Sequence, residues 1–452
     1  MQAGSPSGIS QVLAQFVAAC RWEDIPDPIR HEARRSLVNY FAVALAGAQD
    51  PTLDIAVATY GRFAAGQQAG LVGRPERFDM LNAAALNAMA ANVYDFDDTH
   101  HPTIIHPTAP VAPALFALAQ AQPMSGAELL LAFVLGVEVE CRLGNAVSPG
   151  HYARGWHITS TCGVFGAAAA AGKSLMLAPE ALVWALGSAA SQAGGLVETL
   201  GTMAKSVGVG NAARNGLLSA LLAQQGFDGP AAPLEGARGF LRVAADPPDL
   251  DAVTQDLGGH WQLGDNTYKP YPCGVVLNPV IDACLVLAGD RRLADAGLAS
   301  IERITLTGHP LLRQRTDRPG VATGRESQVS AQHTVAAVLA RGRAGLAEFS
   351  DAAVREPALR ELGAKVVVHE DASYSVDGVQ VRIALRGGME LEHRIEAARG
   401  SAGRPLSDRE LEQKLRDLGC VGRPGWNPQP LIDALWHLDA ARDAARVMAL
   451  AA

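Results

Sequence analysis

The sequence lacks the concentration of positive charge that binding to nucleic acid requires. Lys and Arg total 38 residues against 46 Asp and Glu, which gives a formal net charge of −8 at pH 7. No segment gathers basic residues into a stripe or patch. We therefore expect no nucleic-acid partner and no binding to an anionic membrane surface.

Long apolar runs are also missing. The most apolar stretch, from Gly163 to Gly172, is short and consists mainly of small residues, so we expect no membrane-spanning helix. The first sixteen residues contain no basic region followed by an apolar segment. We therefore expect no secretory signal and a cytoplasmic location.

The six cysteines form no C-x-x-C pair, which argues against a disulfide framework and against a zinc ribbon. We expect reduced thiols that mostly fill the core. They are Cys20, Cys141, Cys162, Cys273, Cys284 and Cys420.

The first half of the chain has the pattern of a helical domain. A chain of 452 residues is long enough for two or three domains. Apolar residues recur at helical spacing from residue 8 to about 230, which predicts an all-α half. Asp27-Pro28 precedes a helix ending at Gly47, and Ser125 and Glu128 form a capping box before another. Small residues at 164–172 and 186–195 predict helices that pack closely at the centre of a bundle.

The pattern changes after about residue 265. Residues 301–307 alternate like a half-buried strand, residues 364–370 add another strand, and residues 379–397 predict a hairpin turning at Gly387-Gly388. A second capping box at 407–410 and an amphipathic helix at 431–452 return to helical structure. We therefore predict a mainly α fold with an α+β part. A large helical domain from both chain ends (1–268 and 401–452) holds an inserted, smaller α+β domain (269–400).

The densest group of reactive side chains lies between residues 95 and 107. It contains three carboxylates, three imidazoles and a hydroxyl, which is more polarity than a structural turn needs. They are Asp95, Asp97, Asp98, Thr99, His100, His101 and His106. A solvated loop with an aspartate as helix cap is the alternative. A metal site is also conceivable, but the spacing matches no zinc or calcium template, so we predict no metal.

A second group precedes the small-residue helix. His157 lies beside Thr159 and Ser160, and an imidazole at a helix start can act as a base while the helix end and the hydroxyls receive an anion. Alternatively, Thr159 or Ser160 merely caps the helix and His157 packs on Trp156.

Two lysines complete the candidates. Lys205 stands alone in an apolar stretch rich in small residues, although a single lysine is usually a surface residue. The following residues 208–213 imitate a dinucleotide-binding fingerprint, but no strand precedes them, and we reject NAD as a cofactor. Lys269 lies near Tyr271 at the predicted domain boundary, where substrate sites concentrate, and is a candidate receptor for a carboxylate. Alternatively, Pro270 and Pro272 simply stiffen a linker.

Together these segments resemble the MmgE/PrpD family, which includes 2-methylcitrate dehydratase, cis-aconitate decarboxylase and iminodisuccinate epimerase. The resemblance covers nearly the whole chain and rests on DFDDT followed by HP (95–107), GWHITSTCGVFGAA (155–168), GTMAKSVGVGNAARNGLLSALLAQQGFDGP (201–230) and YKPYPCG (268–274). It implies a helical domain with an inserted α+β lid, a homodimer, and an active site between domain and lid without metal or organic cofactor. It also implies that six residues face the substrate: Asp95, Thr99, His106, His157, Lys205 and Lys269.

These residues suit chemistry next to a carboxylate. Removing a proton there concentrates negative charge, which Lys205 and Lys269 could neutralise while His106 or His157 moves the proton. Asp95 would orient one imidazole. The predicted substrate-binding residues are Thr99, Lys269, His101, Thr159 and Tyr271.

We therefore predict a cofactor-independent lyase, either a dehydratase or a decarboxylase, acting on a small polycarboxylic acid. The first alternative is an epimerase of an iminodisuccinate-like dicarboxylate, which the segment GHYARGWHITSTCGVFG (150–166) resembles most. Dehydratases and decarboxylases of the family tend to carry a histidine where this chain has Cys273-Gly274. The second alternative is a non-catalytic carboxylate-binding protein.

Overall fold

The computed structural model describes residues 8–421, 423 and 425–452. Residues 1–7, part of the segment in which we expect no secretory signal, lie outside this range. The described residues form two compact units. The first contains residues up to 93, residues 97–266 and residues from 407 onward; the second contains residues 94–96 and 267–406.

The first unit is built mainly of helices. In chain order they are α1 (Ile9–Ala19), α2 (Asp27–Gly47), α3 (Pro51–Tyr60), α4 (Met80–Asn92), α5 (Thr108–Ala121), α6 (Gly126–Val147), α7 (Gly150–Ala153), α8 (Ile158–Ser174), α9 (Pro179–Ala190), α10 (Ala204–Gln224), α11 (Phe240–Ala244) and α12 (Asp251–Thr254). The helices of the C-terminal segment are numbered after those of the second unit.

Several helix limits follow from local sequence and confirm the prediction. The helix α2 begins at Asp27, with Pro28 in its first turn, and ends at Gly47. Ser125 and Glu128 form the capping box of α6, in which the side chain of each accepts a hydrogen bond from the backbone N–H group of the other. The prediction of close packing is confirmed for α8, whose residues 158–172 are all buried. It is wrong for part of 186–195, because α9 already ends at Ala190.

The expectation that residues 8–230 are free of strands is wrong in detail. Three short strands occur there: β1 (Ala69–Gly70), β2 (Arg77–Phe78) and β3 (Asp98–His100). The strands β1 and β2 pair antiparallel. Segments of two or three residues are too short to show the alternation from which a strand is recognised in a sequence.

The second unit combines helices with a four-stranded sheet. Its helices are α13 (Asn278–Ala288), α14 (Arg291–Ala296), α15 (Pro310–Thr316), α16 (Gly324–Ser327), α17 (Ala331–Arg341), α18 (Asp351–Arg355) and α19 (Pro357–Gly363). The strands of its sheet are β5 (Ile301–Gly308), β6 (Val366–Glu370), β7 (Val379–Leu385) and β8 (Glu390–Ile395). A further short strand, β4 (Asn266–Tyr268), contains the last residue of the first unit's middle segment and the first residues of the second unit.

The sheet has the order β6-β5-β7-β8, with β5 parallel to β6 and antiparallel to β7. Buried and accessible residues alternate along β7, so one face of the sheet supplies part of the apolar core of this unit. Gly387 and Gly388 turn the β7–β8 hairpin with φ of +90° and +82°. The predicted strands and hairpin are confirmed.

The C-terminal segment contains α20 (Asp408–Gly419), α21 (Gln429–Trp436) and α22 (Arg446–Ala451). The capping box predicted at Ser407 and Glu410 begins α20 and is confirmed. The single helix predicted over 431–452 is wrong. The backbone carbonyl of Ala441 accepts a hydrogen bond from Gly126, and the N–H group of Ala444 donates one to Met124. These pairings with the start of α6 replace the bonds of a continuous helix.

The fold is therefore mainly α with an α+β part, as predicted from the sequence. Within the described residues, no helix combines the length and the apolar character needed to span a membrane. The cysteines are free thiols, and all except Cys420 are buried, which confirms their expected role in the core.

Candidate functional site

His106 lies in the short link between β3 and α5 of the first unit. Its imidazole is buried, and Nδ1 lies 2.7 Å from the backbone oxygen of Asp98 and 3.3 Å from Oγ1 of Thr99. The backbone N–H group of His106 donates to Oγ1 of Thr159, at 3.0 Å. Because a carbonyl oxygen only accepts, Nδ1 carries the proton of the neutral ring and Nε2 carries the lone pair. The local structure therefore makes Nε2 the atom that can move a proton.

Two buried carboxylates, those of Asp97 and Asp98, lie in the same segment as His106. Oδ1 of Asp97 lies 3.5 Å from Nδ1 of His106, and Oδ2 of Asp97 accepts a hydrogen bond from Asn92 at 2.7 Å. The carboxyl of Asp98 accepts hydrogen bonds from the side chains of Thr108 and Asn266. Burial nevertheless raises the pKa of Asp98 to about 7. Sequence reasoning grouped both residues with Asp95 but did not select them.

His157 is the residue that caps the start of α8. Its Nδ1 lies 2.7 Å from Oγ of Ser160, and its backbone N–H group donates to the carbonyl of Gly195 at 3.0 Å. The alternative in which Thr159 or Ser160 caps α8 is wrong. Trp156 stacks instead on the neighbouring His151, with ring centroids 5.8 Å apart. Ser160 was missed as a partner of His157, although its position three residues later at a helix start is a usable signal.

Lys205 lies in the first turn of α10 and is 8% exposed, so it is not the usual surface lysine. Gly208 lies one turn later on the same face of α10, and it packs against Ser160 of α8. The face of α10 that carries Lys205 is therefore the face directed towards the start of α8. The local structure brings a buried lysine to the helix that His157 caps.

The second unit contains Asp95, Lys269 and Tyr271. The ammonium group of Lys269 is buried and lies 3.1 Å from Oδ2 of Asp95, and it also donates to the backbone oxygen of Asp95 at 3.0 Å. Asp95 has a left-handed backbone with φ of +52°, which aspartate tolerates better than most residues. The hydroxyl of Tyr271 donates to Asp282 at 2.6 Å.

The structure thus joins some of the predicted site residues directly. In the first unit Thr99 and Thr159 each form a hydrogen bond with His106, and His157 lies in the same turn as Thr159. His101, by contrast, is exposed, and its backbone bonds to Asp265. The assignment of each of these residues to catalysis or substrate binding stays a prediction.

Two further points bear on the chemistry available. Cys273, which stands where family lyases tend to carry a histidine, is fully buried, and burial raises the pKa of its thiol. It therefore cannot readily exchange a proton near neutral pH. Among the described residues of the first unit, Asp97 and His106 could each supply a metal ligand. The expectation of no metal stays a prediction.

Comparison with known proteins gives consistent matches. The MmgE/PrpD N-terminal domain matches residues 11–252, and the MmgE/PrpD C-terminal domain matches residues 271–423. Cis-aconitate decarboxylase of Homo sapiens is 29% identical over 426 residues, covering 90% of this chain and 87% of that protein. The Mus musculus enzyme is 30% identical, covering 90% and 86%. Cis-aconitate decarboxylase-like protein oryM of Aspergillus oryzae is 28% identical, covering 99% and 98%.

Proposed function

The chain belongs to the MmgE/PrpD family, and we propose that it is a cofactor-independent lyase that removes carbon dioxide or water from a small polycarboxylic acid. The relatives named above support decarboxylation, since they are named as cis-aconitate decarboxylases or as a protein like them and align over at least 90% of this chain. The structural observation that carries the proposal is the fixed ring of His106, whose Nδ1 donates its proton to the backbone carbonyl of Asp98.

Buried positive charge is the first requirement of this chemistry. Breaking the bond to a departing carboxylate, or removing a proton beside a retained one, leaves an electron pair on carbon next to an anionic group. Without a cation in a water-poor setting that state is too high in energy to form at a useful rate. Lys205 is buried in the first unit and Lys269 in the second, and we assign both to substrate carboxylates.

Proton transfer is the second requirement. In decarboxylation the bond between two carbons breaks, carbon dioxide leaves, and the remaining electron pair accepts one proton. In dehydration a base takes a proton beside a carboxylate, and the hydroxyl on the next carbon receives a proton from an acid and leaves as water. Nε2 of His106 or His157 supplies or accepts that proton. Hydrogen bonds with Thr99 and Thr159 fix the position of His106.

We propose for Asp95 a different role from the one suggested by the sequence. Its carboxylate is paired with Lys269, whereas Asp97 lies beside the ring of His106. We propose that Asp95 holds the ammonium group of Lys269 ready for a substrate carboxylate. Asp97 then takes over the electrostatic support of the imidazole.

Epimerisation of a dicarboxylate is the second candidate, and Cys273 favours it. A dehydratase needs an acid for the leaving hydroxyl, and the buried thiol that replaces the family histidine is a poor proton donor. An epimerase needs only two groups that exchange a proton with the same carbon on opposite faces. The homodimer and the cytoplasmic location implied by the family remain proposals.

A substrate screen tests the proposal. Purified protein is incubated with methylcitrate, cis-aconitate and iminodisuccinate, and products are followed by mass spectrometry, with Lys205→Ala as the matched control. Turnover of at least one acid by the wild type and not by the variant is expected. Binding without turnover for every acid would instead indicate the non-catalytic carboxylate-binding protein.

A further inference from the structure

Ser160 has unusually little freedom for a serine in a helix. It is 2% exposed, its Oγ lies 2.7 Å from Nδ1 of His157, and its backbone N–H group donates to the carbonyl of His157. Side chain and backbone are therefore both tied to the same residue. His157 in turn is fixed through its own N–H group to the carbonyl of Gly195.

Two glycines from distant segments close the space around this serine. A Cβ atom added at Gly195 would lie 2.6 Å from Cβ of Ser160, and one added at Gly208 would lie 2.6 Å from its Oγ. A Cβ atom does not approach a non-bonded heavy atom this closely, so an alanine at either position would displace the side chain of Ser160. Gly195 also has φ of +132°, which other residues rarely adopt.

From this geometry we propose that Ser160 is a positioning residue for His157, and that Gly195 and Gly208 hold its hydroxyl against Nδ1. The inference rests on the proposed function, in which His157 exchanges a proton with the substrate. When Nδ1 donates to Oγ of Ser160, Nε2 of the neutral ring holds the lone pair. In this arrangement Oγ of Ser160 accepts from Nδ1 of His157, as the backbone carbonyl of Asp98 accepts from Nδ1 of His106, and Nε2 of each ring is left as the reactive atom.

The kinetic test uses Ser160→Ala, Gly208→Ala and the double variant. Each single variant should lower kcat on the order of 10-fold or more, because a hydrogen bond to a group that becomes charged is lost, while KM changes less. The pH–rate profile should shift on the limb that His157 controls. Gly194→Ala is the control, because a Cβ atom there meets nothing within 4 Å.

The double variant separates positioning from general damage to the fold. Without Oγ, the atoms nearest to the new Cβ atom at position 208 would be Cβ of residue 160, at 3.2 Å, and Cα of Gly195, at 3.8 Å. Adding Gly208→Ala to Ser160→Ala should therefore cost little further activity. Multiplicative losses in the double variant, or wild-type kcat and an unchanged pH profile in Ser160→Ala, would overturn the proposal.

A measurement that needs no turnover distinguishes failure of this inference from failure of the proposed function. In protein labelled with 15N at histidine, the ring signals of His157 are assigned by their loss in His157→Gln. Wild-type protein should show the proton on Nδ1, and Ser160→Ala should shift its tautomer balance and titration. An identical tautomer and titration in both proteins would refute the positioning role, whatever the substrate.

Discussion

The carboxyl group of Asp98 should make the stability of the first unit depend on pH. Burial raises its pKa from an ordinary value of 3.8 to about 7, against the lowering effect of hydrogen bonds from Thr108 and Asn266. Between these values the folded chain keeps a proton that the unfolded chain has released. Stability from this group is therefore greatest below about pH 4 and falls as the pH rises to about 7. A difference of about three pH units corresponds to about 4 kcal/mol as an upper limit.

Asp98→Asn keeps the size of the side chain and removes its ionisation. Oδ1 of Asn266 is buried and has no hydrogen-bond partner among the described residues. Rotation of the Asn266 amide would therefore let Oδ1 accept a hydrogen bond from the new amide at position 98. The free energy of unfolding of the variant, minus that of the wild type, should therefore increase from pH 5 to pH 8. We expect an increase of about 2 to 3 kcal/mol.

The assay is urea denaturation of both proteins at pH 5, 6, 7 and 8. Asp228→Asn, at an exposed loop residue, is the matched control and should show a constant difference. Turnover of Asp98→Asn should stay close to wild type, because His106 contacts the backbone oxygen of residue 98 and not its carboxyl group. A difference for Asp98→Asn that is the same at every pH would refute the argument that burial raises this pKa.

Three further predictions concern catalysis. Lys205→Ala should lower kcat on the order of 100-fold or more with little loss of thermal stability. A variant with the kcat of the wild type would show that Lys205 has only a structural role. Lys269→Met should raise KM for a polycarboxylate more than it lowers kcat; an unchanged KM would exclude a role in binding. Activity should persist after exhaustive chelation, whereas a loss restored by one divalent ion would indicate a metal site in the loop 95–107.

Features determined by neighbouring residues could be predicted from the sequence. The capping boxes at Ser125 and Ser407 each act over three residues, and both begin helices as expected. The C-terminal tail has a comparably clear helical pattern, yet it is interrupted because Ala441 and Ala444 pair with residues more than 300 positions earlier. Helical periodicity carries no information about such a distant partner.

The same distinction holds at the candidate site. The density of polar residues identifies the loop 95–107 as a candidate site. It does not indicate which residue each carboxylate binds. Asp97 bonds to Asn92, five residues away, whereas Asp95 pairs with Lys269, which lies 174 residues away. The burial of Lys205 could be suspected from its apolar neighbours. The approach of Gly208 to Ser160 depends on the packing of α10 on α8, which no local pattern encodes.

Whether the chain is a lyase can be decided from the change in mass and the uptake of solvent deuterium during the reaction. Each active acid is incubated in deuterated water, and the product is examined by mass spectrometry and optical rotation. We predict that at least one polycarboxylate loses carbon dioxide and gains one deuterium, or loses water. Solvent deuterium entering a chiral dicarboxylate without loss of carbon dioxide or water, for every active substrate, would contradict the claim and establish epimerisation instead.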